Sequence, residues 1–93
     1  MKPATGTVQI ETDRVRVTEW SFEPGAATGF HRHEHDYVVV PVIDGDLIIR
    51  DADGERRVPL KTGVSYTRLA GVEHDVINGN DYPFRFIEVE LLP

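Results

Sequence analysis

The chain has 93 residues, 40% hydrophobic and 28% charged, with a formal net charge of −6, a pI near 5.0 and no cysteine. That size suits one folding unit, residues 1–93, with a modest core that barrel closure, a bound metal or dimerisation would help to stabilise. The acidic balance argues against nucleic acid as a partner, the lack of cysteine removes disulfides, thiolate ligands and thiol nucleophiles, and the lack of a secretory leader or of an apolar stretch of about 20 residues leads to the expectation of a cytoplasmic protein that meets no membrane.

Period-two alternation begins at Val8 and Ile10 and resumes at Val15 and Val17, with Gln9, Glu11, Arg14, Arg16 and Thr18 between them, the pattern of half-buried strands. The run Trp20 to Phe22 ends at Glu23-Pro24-Gly25, a turn in which Pro presets φ. Next comes His31-Arg32-His33-Glu34-His35, read as a strand with the histidines on one face. Tyr37 to Ile43 is apolar apart from Tyr37, which predicts a strand buried on both faces, although Pro41 cannot donate to a ladder and points to an edge or a bulge. Asp44-Gly45 turns the chain. Leu47 to Arg50 and Arg56 to Leu60 flank Asp51-Ala52-Asp53-Gly54-Glu55, where Asp-Gly predicts a hairpin. Thr62-Gly63 opens a strand through Thr67, Asn78-Gly79-Asn80-Asp81 marks another turn, and Phe84 to Leu92 forms a closing strand with Glu88 and Glu90 expected on a solvated face. Roughly eight to ten short strands make an all-β sandwich or barrel.

All four histidines lie in two blocks, His31 to His35 and Gly71-Val72-Glu73-His74. Side chains at i and i+2 of a strand share a face and root about 6.6 Å apart, close enough for two imidazoles to lean onto one ion. His74, on a run that pairs back beside the first block, is positioned to supply the third ligand. Arg50 and Arg68 are candidate anchors for an anionic substrate, although a lone strand arginine is more often exposed.

These residues resemble the cupins, whose two motifs read G-x5-H-x-H-x4-E-x6-G and G-x5-P-x-G-x2-H-x3-N. Here the first runs from Gly25 through His31 and His33 to Val38 and Gly45, and the second from Gly63 through Leu69, Gly71 and His74 to Asn78. Every interval is kept, and only Val38 in place of Glu and Leu69 in place of Pro depart. The resemblance implies a small β-barrel of jelly-roll topology with a divalent Fe, Mn, Ni or Zn ion held by His31, His33 and His74, and with Asn78 as a turn former. Because Val38 cannot bind metal, either three histidines suffice, as in cupin dioxygenases that also lack the Glu, or the site is weakened; a bulge would let His35 or Tyr37 complete it. Three neutral ligands leave the ion's +2 charge uncompensated and favour a small anionic or chelating substrate. The implied activity is a dioxygenase-like reaction on a small organic acid, with Lewis-acid isomerisation or hydrolysis second. Tyr37 or His35 would act as proton donor, and Asp36, Glu73 or Asp75 would orient the imidazoles. The alternatives are a non-catalytic module that binds a small ligand or metal, and a scaffold. Cupins commonly pair, and a homodimer through the amino-terminal strands with Trp20 and Phe22 is expected.

Overall fold

The computed structural model describes residues 2–93. They form β1 (Thr5–Glu11), β2 (Val15–Phe22), β3 (His31–Arg32), β4 (Tyr37–Pro41), β5 (Gly45–Asp51), β6 (Gly54–Leu60), β7 (Tyr66–Arg68), β8 (Glu73–Asn78) and β9 (Phe84–Leu91). Among the described residues no helix is long and apolar enough to cross a membrane. The strands make two antiparallel sheets, in the orders β1-β2-β9-β4-β7 and β3-β8-β5-β6, and the chain alternates between them as a jelly roll. The all-β expectation therefore holds.

Between the sheets, Phe22, Tyr37, Val39, Phe84 and Phe86 of one meet Leu47, Ile49, Leu60 and Val76 of the other. Phe22 and Phe84 are 1% and 0% exposed and face each other in register across β2 and β9, each side chain contributing about 1.5–3 kcal/mol by burial. Phe22 also stacks on Phe86 with centroids 5.6 Å apart. Beside them Asn78, 2% exposed, donates from Nδ2 to the carbonyls of Glu23 and Tyr82 and accepts at Oδ1 from the Asn80 backbone N–H. A Cβ on Gly45 would stand 2.7 Å from Tyr82 Oη and 2.8 Å from a Phe84 ring carbon, so only glycine fits there. Aromatic rings and this asparagine clamp thus fill one end of the barrel.

Four expectations change. Trp20 and Phe22 turn inward, not toward a partner: Phe22 is buried, and Trp20 packs on the core and donates from Nε1 to Glu88 Oε2 at 3.1 Å. Glu88 is not solvated; it is 6% exposed and shares the inner face of β9 with Phe84 and Phe86. Glu90 is only partly exposed and lies 3.4 Å from Arg16. Tyr37 to Pro41 alternates buried and half-buried, so β4 has one buried face rather than two, and Pro41 closes it beyond Val39, the last residue that β7 pairs.

Val17, Val89 and Val38 are consecutive register partners on the outer face of the five-stranded sheet, joined by Ile10 of β1, which is 52% exposed.

Candidate metal centre

At the barrel end away from Phe22 and Phe84, β3 and β8 run antiparallel with His31 opposite His74. The ladder continues past β3 through His33 N–H to the Val72 carbonyl and Gly71 N–H to the His33 carbonyl, both from segments without regular strand geometry. Gly71 has φ +97°, a left-handed conformation that lets the chain double back before His74. The result is three converging rings. His33 Nε2 lies 3.0 Å from His31 Nε2 and 3.1 Å from His74 Nε2, and the three residues form one group of potential metal ligands.

Neutral imidazole nitrogens that face each other at this distance set lone pair against lone pair unless something positive lies between them. The tautomers support such an occupant. His31 Nδ1 is 2.8 Å from the Gly29 carbonyl, which can only accept, so the ring carries its proton there and its lone pair on Nε2. For ligands about 2.0–2.1 Å from a cation, nitrogens spaced as these are subtend roughly 90–100°, the angle of neighbouring ligands. Burial, reinforced by His31 and His74, lowers His33 to a pKa of about 4, and burial with His31 lowers His74 to about 4, so both rings are neutral donors near pH 7. The donor set fits a divalent metal ion.

Tyr37 stacks on His33 with ring centroids 3.9 Å apart and planes 18° apart. Burial, aided by the negative charge of Glu88, raises its phenol pKa, so the hydroxyl stays protonated. On β4 the inward positions are Tyr37 and Val39, while Val38 lies on the outer face. The motif spacing that sets Val38 in the glutamate's place is therefore misleading, and Tyr37 occupies the position facing the histidines. His35 stands at a bend outside the three-histidine group, because regular strand parity ends at Arg32.

The expected orienting acids are engaged elsewhere. Asp36 accepts from Ala70 N–H, Glu73 lies 4.0 Å from Arg32, and Asp75 accepts from Gly29 N–H, touching the residue whose carbonyl meets His31. Among the described residues the acid that comes within 4.0 Å of a histidine ring is Glu88, with Oε1 3.7 Å from His33 Nδ1. Its pKa is raised by burial and lowered in part by the Trp20 hydrogen bond.

An inner chamber of about 30 Å³ is bounded by all three histidines, Tyr37, Glu88 and Trp20. Outside it, a cleft of about 390 Å³ is lined by His74, Tyr37, Asp51, Arg56, Tyr66 and Arg68 among others. Arg68 covers the Tyr66 ring, 4.6 Å from its centroid. Arg56 bonds Asp51 at 2.7 Å, and this bond is the main reason Asp51 sits below the usual carboxylate range. Arg50 stays outside the cleft, exposed and bonded to Glu55 at 2.8 Å, because Leu47 and Ile49 take the inward positions of β5 and leave Asp51 as the next. Sequence reasoning overlooked Asp51, Arg56 and Tyr66; the β5 alternation carries the signal for Asp51, and the Asp51 to Gly54 hairpin register carries it for Arg56.

A sequence-family model described as a cupin domain matches residues 18–90. The β-alanine degradation protein BauB of Pseudomonas aeruginosa is 52% identical over 88 residues, covering 95% of this chain and 93% of that protein. The crystal structure of a cupin domain from Bordetella pertussis Tohama I superimposes with a TM-score of 0.97 at 51% identity, covering 99% of this chain and 96% of that one. A protein from Klebsiella pneumoniae with a double-stranded β-helix domain gives a TM-score of 0.76 at 27% identity over 98% of this chain and 77% of its own.

Proposed function

This chain belongs to the cupin family, and we propose that it is a single-domain, metal-dependent enzyme whose His31, His33 and His74 hold a divalent Fe, Mn, Ni or Zn ion for dioxygenase-like chemistry on a small organic acid. The observation that carries this reading is the convergence of three Nε2 atoms, two of the separations being 3.0 and 3.1 Å. When bound, such an ion supplies Lewis acidity and open positions for a substrate. The remaining chemistry falls to the side chains around it. Arg68, which makes no ion pair among the described residues, binds the substrate's carboxylate at the cleft mouth, held in place by Tyr66. Tyr37, protonated and stacked on His33, is placed to deliver a proton from inside. The name of the BauB relative favours a substrate the size of β-alanine or the acids made from it.

The outer row Ile10, Val17, Val89 and Val38 supports a homodimer in which a second copy covers this face.

The test is elemental mass spectrometry on untagged protein, beside the double variant His33→Ala/His74→Ala, followed by oxygen uptake with β-alanine and other small carboxylates. Near-stoichiometric metal lost in the variant, with turnover, is the expected result. Metal without turnover leaves a ligand-binding module. No metal in either protein, even after anaerobic reconstitution with Fe(II), Mn(II), Ni(II) and Zn(II), overturns the metal reading.

A further inference from the structure

Glu88 is the one acidic side chain among the buried residues described, and it stands in the lining of the chamber that also holds the three histidines. A carboxylate in such a place is costly unless a positive charge or several donors compensate it. Trp20 Nε1 supplies one donor, at 3.1 Å from Oε2. The other oxygen, Oε1, lies 3.7 Å from His33 Nδ1, longer than a hydrogen bond. His33 is also the central ring of the cluster, the one whose Nε2 lies near both of the others. The inward positions of β4 carry Tyr37 and Val39, so no carboxylate reaches the cluster from that strand, and Glu88 lies directly across from Val39.

We infer that Glu88 is a positioning residue for the metal centre: facing His33 Nδ1 from β9, its charge favours the proton on that nitrogen, which leaves Nε2 free for the ion, and it supplies from behind the ring the negative charge that the ligand set lacks. His31 and His33 are thereby fixed differently, the first by the neutral Gly29 carbonyl and the second by an acid. A carboxylate behind a ligating imidazole raises the basicity of the ring and its hold on a cation. Glu88 has this role only if the histidines hold a cation, the reading proposed above.

The test compares wild type, Glu88→Gln and Trp20→Phe. Affinity for Co(II) and Zn(II) is measured by chelator competition, with the Co(II) absorption spectrum as a second readout and the thermal midpoint of the metal-free chain as the control for folding. The expected result is a loss of roughly 10- to 100-fold in affinity for Glu88→Gln, a changed Co(II) spectrum, and a clearly smaller loss for Trp20→Phe, which keeps the carboxylate but removes its other partner and some packing beside the chamber. Equal affinity in wild type and Glu88→Gln overturns the inference while leaving the metal site standing. Equal losses in both variants assign Glu88 to the Trp20 packing and also overturn it. No metal in wild type removes the site and the inference together. Should Glu88→Gln fold poorly, proton-detected nitrogen-15 NMR of histidine-labelled, Zn(II)-loaded wild type decides: a His33 Nδ1 proton further downfield than that of His31, whose partner is a neutral carbonyl, supports the role, and one no further downfield refutes it.

Discussion

Replacing Asn78 by alanine should destabilise the barrel severely and leave the metal centre intact. Asn78 is 2% exposed, its Nδ2 approaches the carbonyls of Tyr82 at 2.9 Å, Glu23 at 3.2 Å and Phe22 at 3.4 Å, and its Oδ1 accepts from the Asn80 backbone N–H at 2.9 Å and side-chain amide at 2.8 Å. Two amide hydrogens and one oxygen make about four net bonds, each contributing about 0.5–1.5 kcal/mol, and alanine removes all of them at once from partners that are mostly part-buried. The expected loss is therefore about 3 kcal/mol. At about 4–8 °C per kcal/mol for a domain of this size, the thermal midpoint should fall by roughly 12–24 °C. His74 is four positions away on β8, about 13 Å along the strand, so metal affinity of the folded variant should stay within about threefold of wild type. Urea and thermal unfolding of the metal-free chain, followed by metal titration at a temperature where the variant is folded, make the measurement. A loss below about 1 kcal/mol would refute the clamp, and a folded variant without metal affinity would refute the division of the barrel into two ends.

Tyr37→Phe keeps the ring on His33 and removes the hydroxyl, so turnover should drop by roughly 10²-fold or more if this phenol delivers a proton, with metal content unchanged; unaltered turnover removes Tyr37 from the reaction. Arg68→Met should raise KM for a carboxylate substrate about tenfold with kcat little changed, and an equal KM would place the anion elsewhere. The metal-free chain should lose stability as pH falls from 7 to 5: His33 and His74 have folded pKa values of about 4, below the roughly 6.5 of unfolded histidine, so the unfolded state takes up protons first and the stabilisation present above pH 6.5 fades toward pH 4. Chemical denaturation of the double variant His33→Ala/His74→Ala should be flatter over that window, and the same slope in both proteins would contradict the assignment.

The hairpin signalled by Asp53-Gly54, whose two-residue turn is Ala52-Asp53, and the pairing of His31, His33 and His74 were legible in the sequence because each depends on local spacing: a short turn, an i, i+2 repeat, and a motif whose intervals are kept from Gly25 to Asn78. The status of Val38 was not legible, since counting residues from His33 carries side-chain parity only through continuous strand, and the backbone leaves strand geometry between His33 and Asp36. Glu88 was hidden for another reason. β9 carries large apolar residues on both faces, Phe84 and Phe86 on one and Ile87 and Val89 on the other, and Glu88 shares its face with Glu90, so the two acids read as marking the wet side. What reverses this is a partner on another strand, the indole of Trp20, which no period within β9 reveals. Arg50 and Asp51 could have been told apart, because Leu47 and Ile49 already set the inward parity of β5.

β3 is two residues long and pairs with β8 through His31 and Arg32, extended only by the two backbone bonds of His33 to Gly71 and Val72, yet it carries one of the three converging rings, while the aromatic plug and the Asn78 clamp lie at the other end. The mouth of the barrel is thus its least tethered part, and the metal-free chain should open there without unfolding elsewhere. A cation drawn between the rings would act as the missing rivet of that seam. Loading would then come before any substrate has a finished wall to lean on, which makes the order of binding a property of the architecture.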